Sequence, residues 1–324
     1  MKPSAFNPTH IVACLLVGVT AVLLSFGALV TTYEAAMAVP DWPGTYGHNM
    51  FLFPLAEWLH GPWDLFLEHG HRLLGAATGI VTLLLAAVAW RSPSSSAVRW
   101  LTLAAVTLVV VQGGLGGARV LLDDKTVAKV HACTGPLFFA VAVAIAALSR
   151  RTAPATAFTL ARLPVALLIA SYLQLVAGAQ LRHLDATVDP ATFRGLAGLH
   201  ILGAVAVTVL AVVSAVVLGK TGPAGARRWS RAVVALVLVQ LLLGAGAWVA
   251  NWGVPAGLLS ESWQWSEPLR ARSVTSAVIV TGHVVLGMLI LAASVVLAIR
   301  AGAVGEVAAD RGTAARLVSG RAFA

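Results

Sequence analysis

Apolar positions along this chain gather in eight long runs, separated by short polar joints and two longer stretches rich in Trp, Pro and Gly. The runs fall near residues 11–31, 66–90, 97–118, 130–149, 160–181, 195–218, 232–250 and 274–299. Each is about 20 residues long, the length an α-helix needs to cross the hydrocarbon core of a bilayer. Ala, Gly, Val and Leu dominate them, and helices with many small residues pack closely in lipid. The first run is read as a retained span, because it is long for a signal peptide. The pattern predicts an all-α membrane protein of eight transmembrane helices.

The runs repeat. "QGGLGGARV" from Gln112, "QLVAGAQLRH" from Gln174 and "QLLLGAGAWV" from Gln240 mark the third, fifth and seventh, and the first keeps only the tail of this pattern as "SFGALVTT" from Ser25. The even runs carry another signature: "HRLLG" from His71, "HACTG" from His131 and "HVVLG" from His283. The sixth reads "HILGA" from His200, with the glycine one place earlier. Four spans restore the starting orientation, so the halves run in parallel. Two pseudo-symmetric four-helix bundles are expected, residues 1–155 and 156–300, with a flexible cytoplasmic tail over 301–324.

Composition agrees with a membrane protein. The 324 residues are 59% hydrophobic and 11% charged, with mean hydropathy +0.87, too much apolar surface for a soluble core of this length. The net charge of +9 is a topology signal. Lys2, Arg91, Arg99, Arg150, Arg151, Arg162, Lys220, Arg227, Arg228, Arg231, Arg300 and the tail arginines share one side, while the acids from Glu34 to Glu267 lie on the other. Basic residues stay cytoplasmic, so both termini are expected there. Lipid, not nucleic acid, is the expected surroundings. Trp252, Trp263 and Trp265, in the outer stretch 250–273, fit an interfacial belt. Cys14 and Cys133 both lie within runs, which leaves no disulfide framework in the loops.

The chemistry gathers at the histidines. The even spans run inward, and His71, His131, His200 and His283 sit early in them, so all four are expected toward the outer face. In three of these spans glycine follows at i+4 on the same helix face, where a missing side chain lets a flat group lie against the backbone. Facing imidazoles beside small residues suit bis-histidine haem ligation. An interhelical hydrogen-bonding role is the alternative for any one of them, and zinc is less well matched because its usual ligand spacing is absent. His69 points away from His71 and is expected at a loop or the interface. Glu68 shares the face of His71 and pairs with Arg72 at i+4. It reads either as a first-turn carboxylate favoured by the helix dipole or as a proton-handling group beside the first haem. Arg72, Arg119, Arg182, Arg194, Arg270 and Arg272 are candidate partners for haem propionates.

With these residues assembled, the chain resembles the haem A synthase family over about residues 15–295. The matching stretches are "GALVTTYEAAMAVPDWPGTYG", "EHGHRLLGA", "QGGLGGARV", "VHACTG", "GLHILGA" and "TGHVVLG". The resemblance implies oxidation of the C8 methyl of haem O to a formyl group for terminal oxidase biogenesis. It implies His71 and His131 on the substrate haem, His200 and His283 on a resident haem b, Glu68 as the catalytic carboxylate, and oxygen as oxidant. The electron donor stays open. Haem O synthase and terminal oxidase assembly proteins are the implied partners, and a bacterial cell membrane the implied location. The sequence departs from the family in one place: no cysteine pair flanks "AVPDWPGTYG". A transmembrane electron-transfer cytochrome with two haems is the competing expectation; it shares the histidines and gives Glu68 no task. A transporter ranks last, because few charges stand in mid-span.

Overall fold

In a computed structural model of the chain, residues 7–150, 162–184, 187–253 and 273–302 are described. The helices are α1 (Pro8–Thr32), α2 (Leu55–His60), α3 (Trp63–Arg91), α4 (Ser96–Leu122), α5 (Lys125–Ser149), α6 (Arg162–Arg182), α7 (Pro190–Thr221), α8 (Ala224–Trp252) and α9 (Val274–Arg300). All but the short α2 are long and apolar enough to cross a bilayer. The chain is an integral, multi-pass membrane protein.

Local chemistry sets the helix starts. Asn7 caps α1 by accepting from the His10 N–H, with Pro8 beside it. Ser95, Asp124, Asp189 and Ser273 cap α4, α5, α7 and α9 in the same way. Such side-chain oxygens satisfy N–H groups that the first helical turn leaves open. Asp123 closes α4 in the left-handed region at φ 46°, so α4 and α5 join through two residues. Hydroxyls buried in the bundle return to their own helix: Thr20 donates to Leu16 O, Thr82 to Thr78 O and Ser171 to Leu167 O. In lipid no polar group can be left without a partner cheaply.

Helices α1, α3, α4 and α5 touch in a closed ring, and so do α6, α7, α8 and α9. Ala13, Leu16, Leu85, Ala105, Phe138 and Ile145 fill the first ring. Leu167, Val207, Leu218, Val237, Ile290 and Leu297 fill the second. The rings meet along α1–α9, α5–α9 and α5–α6, where Phe139, Val143 and Val295 pack with Leu24 and Leu168. α1 is thus an integral wall of the bundle. The expected tail 301–324, the stretch 250–273 with Trp263 and Trp265, Arg151, and the joint between the two sets of helices lie largely outside the described residues; so do Arg270 and Arg272.

Loop 33–54 folds over the end of the bundle where α1 stops and α3 starts, here called the upper end. Helices α3, α5, α7 and α9 all begin there. Their histidines fall within about three turns of the start.

Candidate functional site

Each imidazole rests on a glycine of the preceding membrane helix. A Cβ on Gly27 of α1 would stand 3.0 Å from His71 Cε1. The same construction gives 3.4 Å for Gly116 and His131, 3.1 Å for Gly178 and His200, and 3.0 Å for Gly244 and His283. These seats repeat four times, so the repeat seen in the sequence is a repeat of contacts. One turn before the glycine, a glutamine reaches the main chain of the histidine. Gln112 Nε2 donates to His131 O at 3.2 Å, Gln174 Nε2 to His200 O at 2.8 Å and Gln240 Nε2 to His283 O at 2.9 Å.

That contact corrects one expectation. The glycine following each histidine does not open a face for a flat ligand; in three spans it admits the glutamine. A Cβ on Gly135 would meet Gln112 Nε2 at 3.0 Å, one on Gly203 would run into Gln174 Oε1, and one on Gly287 would meet Gln240 Nε2 at 3.3 Å. The displaced glycine of α7 follows from the same cause, since Gln174 lies against residue 203. The exception is α3. Leu23 of α1 stands where the other helices carry glutamine, and a Cβ on Gly75 would have no neighbour within 4 Å.

The rings come in facing pairs. His71 and His131 have centroids 6.5 Å apart at an interplanar angle of 81°, and His200 and His283 are 6.2 Å apart at 71°. The Nδ1 atoms of His71, His131 and His283 are buried, and their rings lie within reach of the main chain of Leu23, Gln112 and Gln240 on the preceding helices. One metal bonded at about 2 Å to a nitrogen of each ring brings two ring centres to about the separation seen in both pairs. The residues therefore fit an iron held between two axial imidazoles. Among the described residues no cluster of three His, Cys, Asp or Glu side chains gathers as a metal cage.

Glu68 lies beside the first pair, and among the described residues nothing like it lies beside the second. It is 2% exposed. Its Oε2 accepts from Val39 N–H at 3.0 Å, its Oε1 from Arg72 Nη2 at 2.9 Å, and Arg119 Nη2 stands 3.7 Å away. The corresponding residue of α7, Ala197, is buried and apolar. One expectation changes here: Glu68 is not a first-turn carboxylate, since Asp64 takes that place in α3. The expected pair with Arg72 forms and is buried, with side chains 2% and 9% exposed.

Arg72 is committed to the loop. Its Nη1 donates to Asp41 O at 2.6 Å and Gly44 O at 2.8 Å, and its Nη2 to Val39 O at 2.7 Å as well as to Glu68. Those four bonds use every Nη hydrogen and leave only the Nε–H for a further acceptor. Arg194 is exposed on α7. His69 does face the loop, as expected, but it is 1% exposed: Thr45 Oγ1 is 3.0 Å from its Nδ1, and Phe53 and Trp58 pack on its ring.

The loop is held by its own turn as well. Asp41 accepts from Tyr46 N–H at 2.8 Å and Gly47 N–H at 2.9 Å. Burial alone would raise its pKa, but these bonds and Arg72 outweigh it and hold the carboxyl below 3.8. A lowered carboxyl pKa stabilises the fold at pH above the unfolded value and is lost as pH falls through the folded one. Protection of the Tyr46 and Gly47 amides, measured against the intrinsic exchange rate at each pH, is therefore expected to hold at neutral pH and to fall only below about pH 4, the ordinary carboxyl range. Trp42, between these residues, lies flat on α4: a Cβ on Gly117 would come within 2.5 Å of its Cδ2 and Cε2. Gly117→Ala is expected to lift the loop and cost about 1–3 kcal/mol, as overpacking does. Faster proteolysis within residues 39–48 and a lower melting temperature would show it, and unchanged values would contradict the contact.

An all-helical membrane protein with two facing histidine pairs, one of them guarded by a buried carboxylate, is the class that fold and site define. The model of the cytochrome oxidase assembly protein family matches residues 10–198, and the chain belongs to that family. Heme A synthase of Shouchella clausii (strain KSM-K16) is 28% identical over 181 residues, which is 53% of this chain and 58% of the relative. The chain thus matches a little over half the length of that curated protein. His71, His131 and Glu68 fall within the family match, whereas His200 and His283 lie beyond residue 198.

The sequence did not single out the glycine seats or the glutamine bonds. Their signal was present, since Gln112–Gly116, Gln174–Gly178 and Gln240–Gly244 share one spacing of a helical turn.

Proposed function

We propose that this chain is a haem A synthase, which oxidises the C8 methyl of haem O to a formyl group for terminal oxidase biogenesis, with molecular oxygen as the oxidant. The observation that carries the reading is the asymmetry between two otherwise matched histidine pairs. Among the described residues, only the His71–His131 pair has a buried carboxylate, a second nearby cation and open space at Gly75. The chain's family and the name of its relative support the same reading.

In this reading the chain divides into two pseudo-symmetric four-helix halves. His71 and His131 fix the substrate haem, so that one methyl stays in register through successive oxidations. Glu68 holds and releases protons at its carboxylate oxygens. Val39, Arg72 and Arg119 keep that carboxylate in one place. Loop 33–54, pinned by Arg72 and Trp42, shields the upper end of this site from water. His200 and His283 hold haem b, which supplies one-electron transfer when bound. The electrons come from an outside donor. Haem O synthase is the expected source of substrate, and oxidase assembly proteins the expected receivers of product. The membrane is the bacterial cell membrane, with both termini cytoplasmic and the histidine pairs toward the outer face, as the basic residues indicate.

The test is to express the chain with a source of haem O and analyse extracted haems by chromatography and mass. A formyl haem, or its hydroxymethyl precursor, is the expected product. Unmodified haems alone would overturn the proposal.

A further inference from the structure

Arg182 ends α6 at the seam between the two rings of helices. Its Nη2 donates to Ala28 O and to Thr32 Oγ1, each at 2.6 Å. Thr32 Oγ1 lies 3.1 Å from Thr281 Oγ1 of α9. The guanidinium is thereby fastened to the last turn of α1, whose open carbonyls carry the negative end of the helix dipole. Each end of this short chain of bonds adjoins a histidine pair. Ala28 follows Gly27, the seat of His71, and Thr281 stands two residues before His283.

Among the described residues no carboxylate is seen to pair with this cation, and both its acceptors are neutral. Charged groups within a membrane bundle are retained where they pair or serve a site. With Nη2 used, the Nη1 and Nε hydrogens have no protein acceptor among the described residues. A guanidinium presents such hydrogens as a planar fork that matches a carboxylate.

We infer that Arg182 is the positioning cation of the His200–His283 site: fixed by α1 and Thr32, it binds a peripheral carboxylate of the haem held there and sets that haem's redox potential. The inference rests on the haem-binding role of this pair. A fixed positive charge near the iron disfavours the ferric state, so removing it lowers the midpoint potential.

The test uses the purified full-length protein in detergent, with reductive titration followed by absorption. Arg182→Gln is expected to keep the bis-histidine spectrum and to lower the midpoint potential of the haem that His283→Ala removes. Arg182→Lys, which keeps the charge without the fork, is expected to fall between wild type and Arg182→Gln. Thr32→Val, which keeps the charge but removes its anchor, is expected to shift the potential less than Arg182→Gln does, and it serves where the glutamine variant does not fold. An unchanged potential in these variants with the haem still bound overturns the inference alone and leaves Arg182 a clamp on α1. A wild type whose haem content does not respond to His283→Ala overturns the haem reading of the pair together with it.

Discussion

Glu68→Gln is expected to leave the fold and haem content near wild type and to abolish oxidation of haem O. The amide oxygen can accept from Arg72 or from Val39 N–H, which the carboxylate serves with separate oxygens, and Arg72 keeps its bonds to the carbonyls of Val39, Asp41 and Gly44, so the loop stays tied to α3. What the variant loses is a group that can take up and release a proton. General acid–base catalysis contributes about 10²–10⁴-fold, and the fall in product per bound haem is expected in that range. Glu68→Ala is a poorer probe. It leaves Arg72 and Arg119 facing no carboxylate and Val39 N–H without its acceptor. Breaking a buried charged pair by removing one partner costs about 3–5 kcal/mol, so lost activity there would confound chemistry with folding. Full activity in Glu68→Gln would remove the proton-handling role.

His283→Ala is expected to lose one low-spin haem and keep the other, and His71→Ala to lose the complementary one. The two pairs are seated separately, on Gly178 and Gly244 in one ring of helices and on Gly27 and Gly116 in the other. Substitutions at sites that share no contacts act independently. Haem per chain and the absorption of each variant measure this directly. If either variant kept both haems, that histidine would not be an axial ligand. The His283→Ala protein is also expected to stop producing oxidised haem while still binding it, because the electron-transfer site is then missing.

Much of this was legible in the order of residues. The eight apolar runs fall within or close to the membrane helices, because a bilayer fixes span length. Helices α3 and α7 start earlier than their apolar runs, at Trp63 and Pro190, since caps and first turns are polar and lie outside the apolar stretch. The six-residue α2 was missed; it is too short to show a period. The histidine pairs were legible because the repeat aligned them. Periodicity told that the following glycines share the histidine face, but not that a neighbouring glutamine fills that face. The Arg72 clamp was invisible for another reason. Its acceptors are main-chain carbonyls of Val39, Asp41 and Gly44, whose directions depend on the folded loop and on no side chain. The burial of Glu68 and His69 follows from that same loop.

The most direct measurement compares wild type and Glu68→Gln, matched for bound haem, in a single assay supplied with haem O, oxygen and a reductant, with product haems weighed by mass spectrometry. The account predicts a haem with its methyl converted to formyl from the wild type and none from the variant. Equal amounts of formyl haem from both, or none from a wild type that holds two low-spin haems, would contradict it.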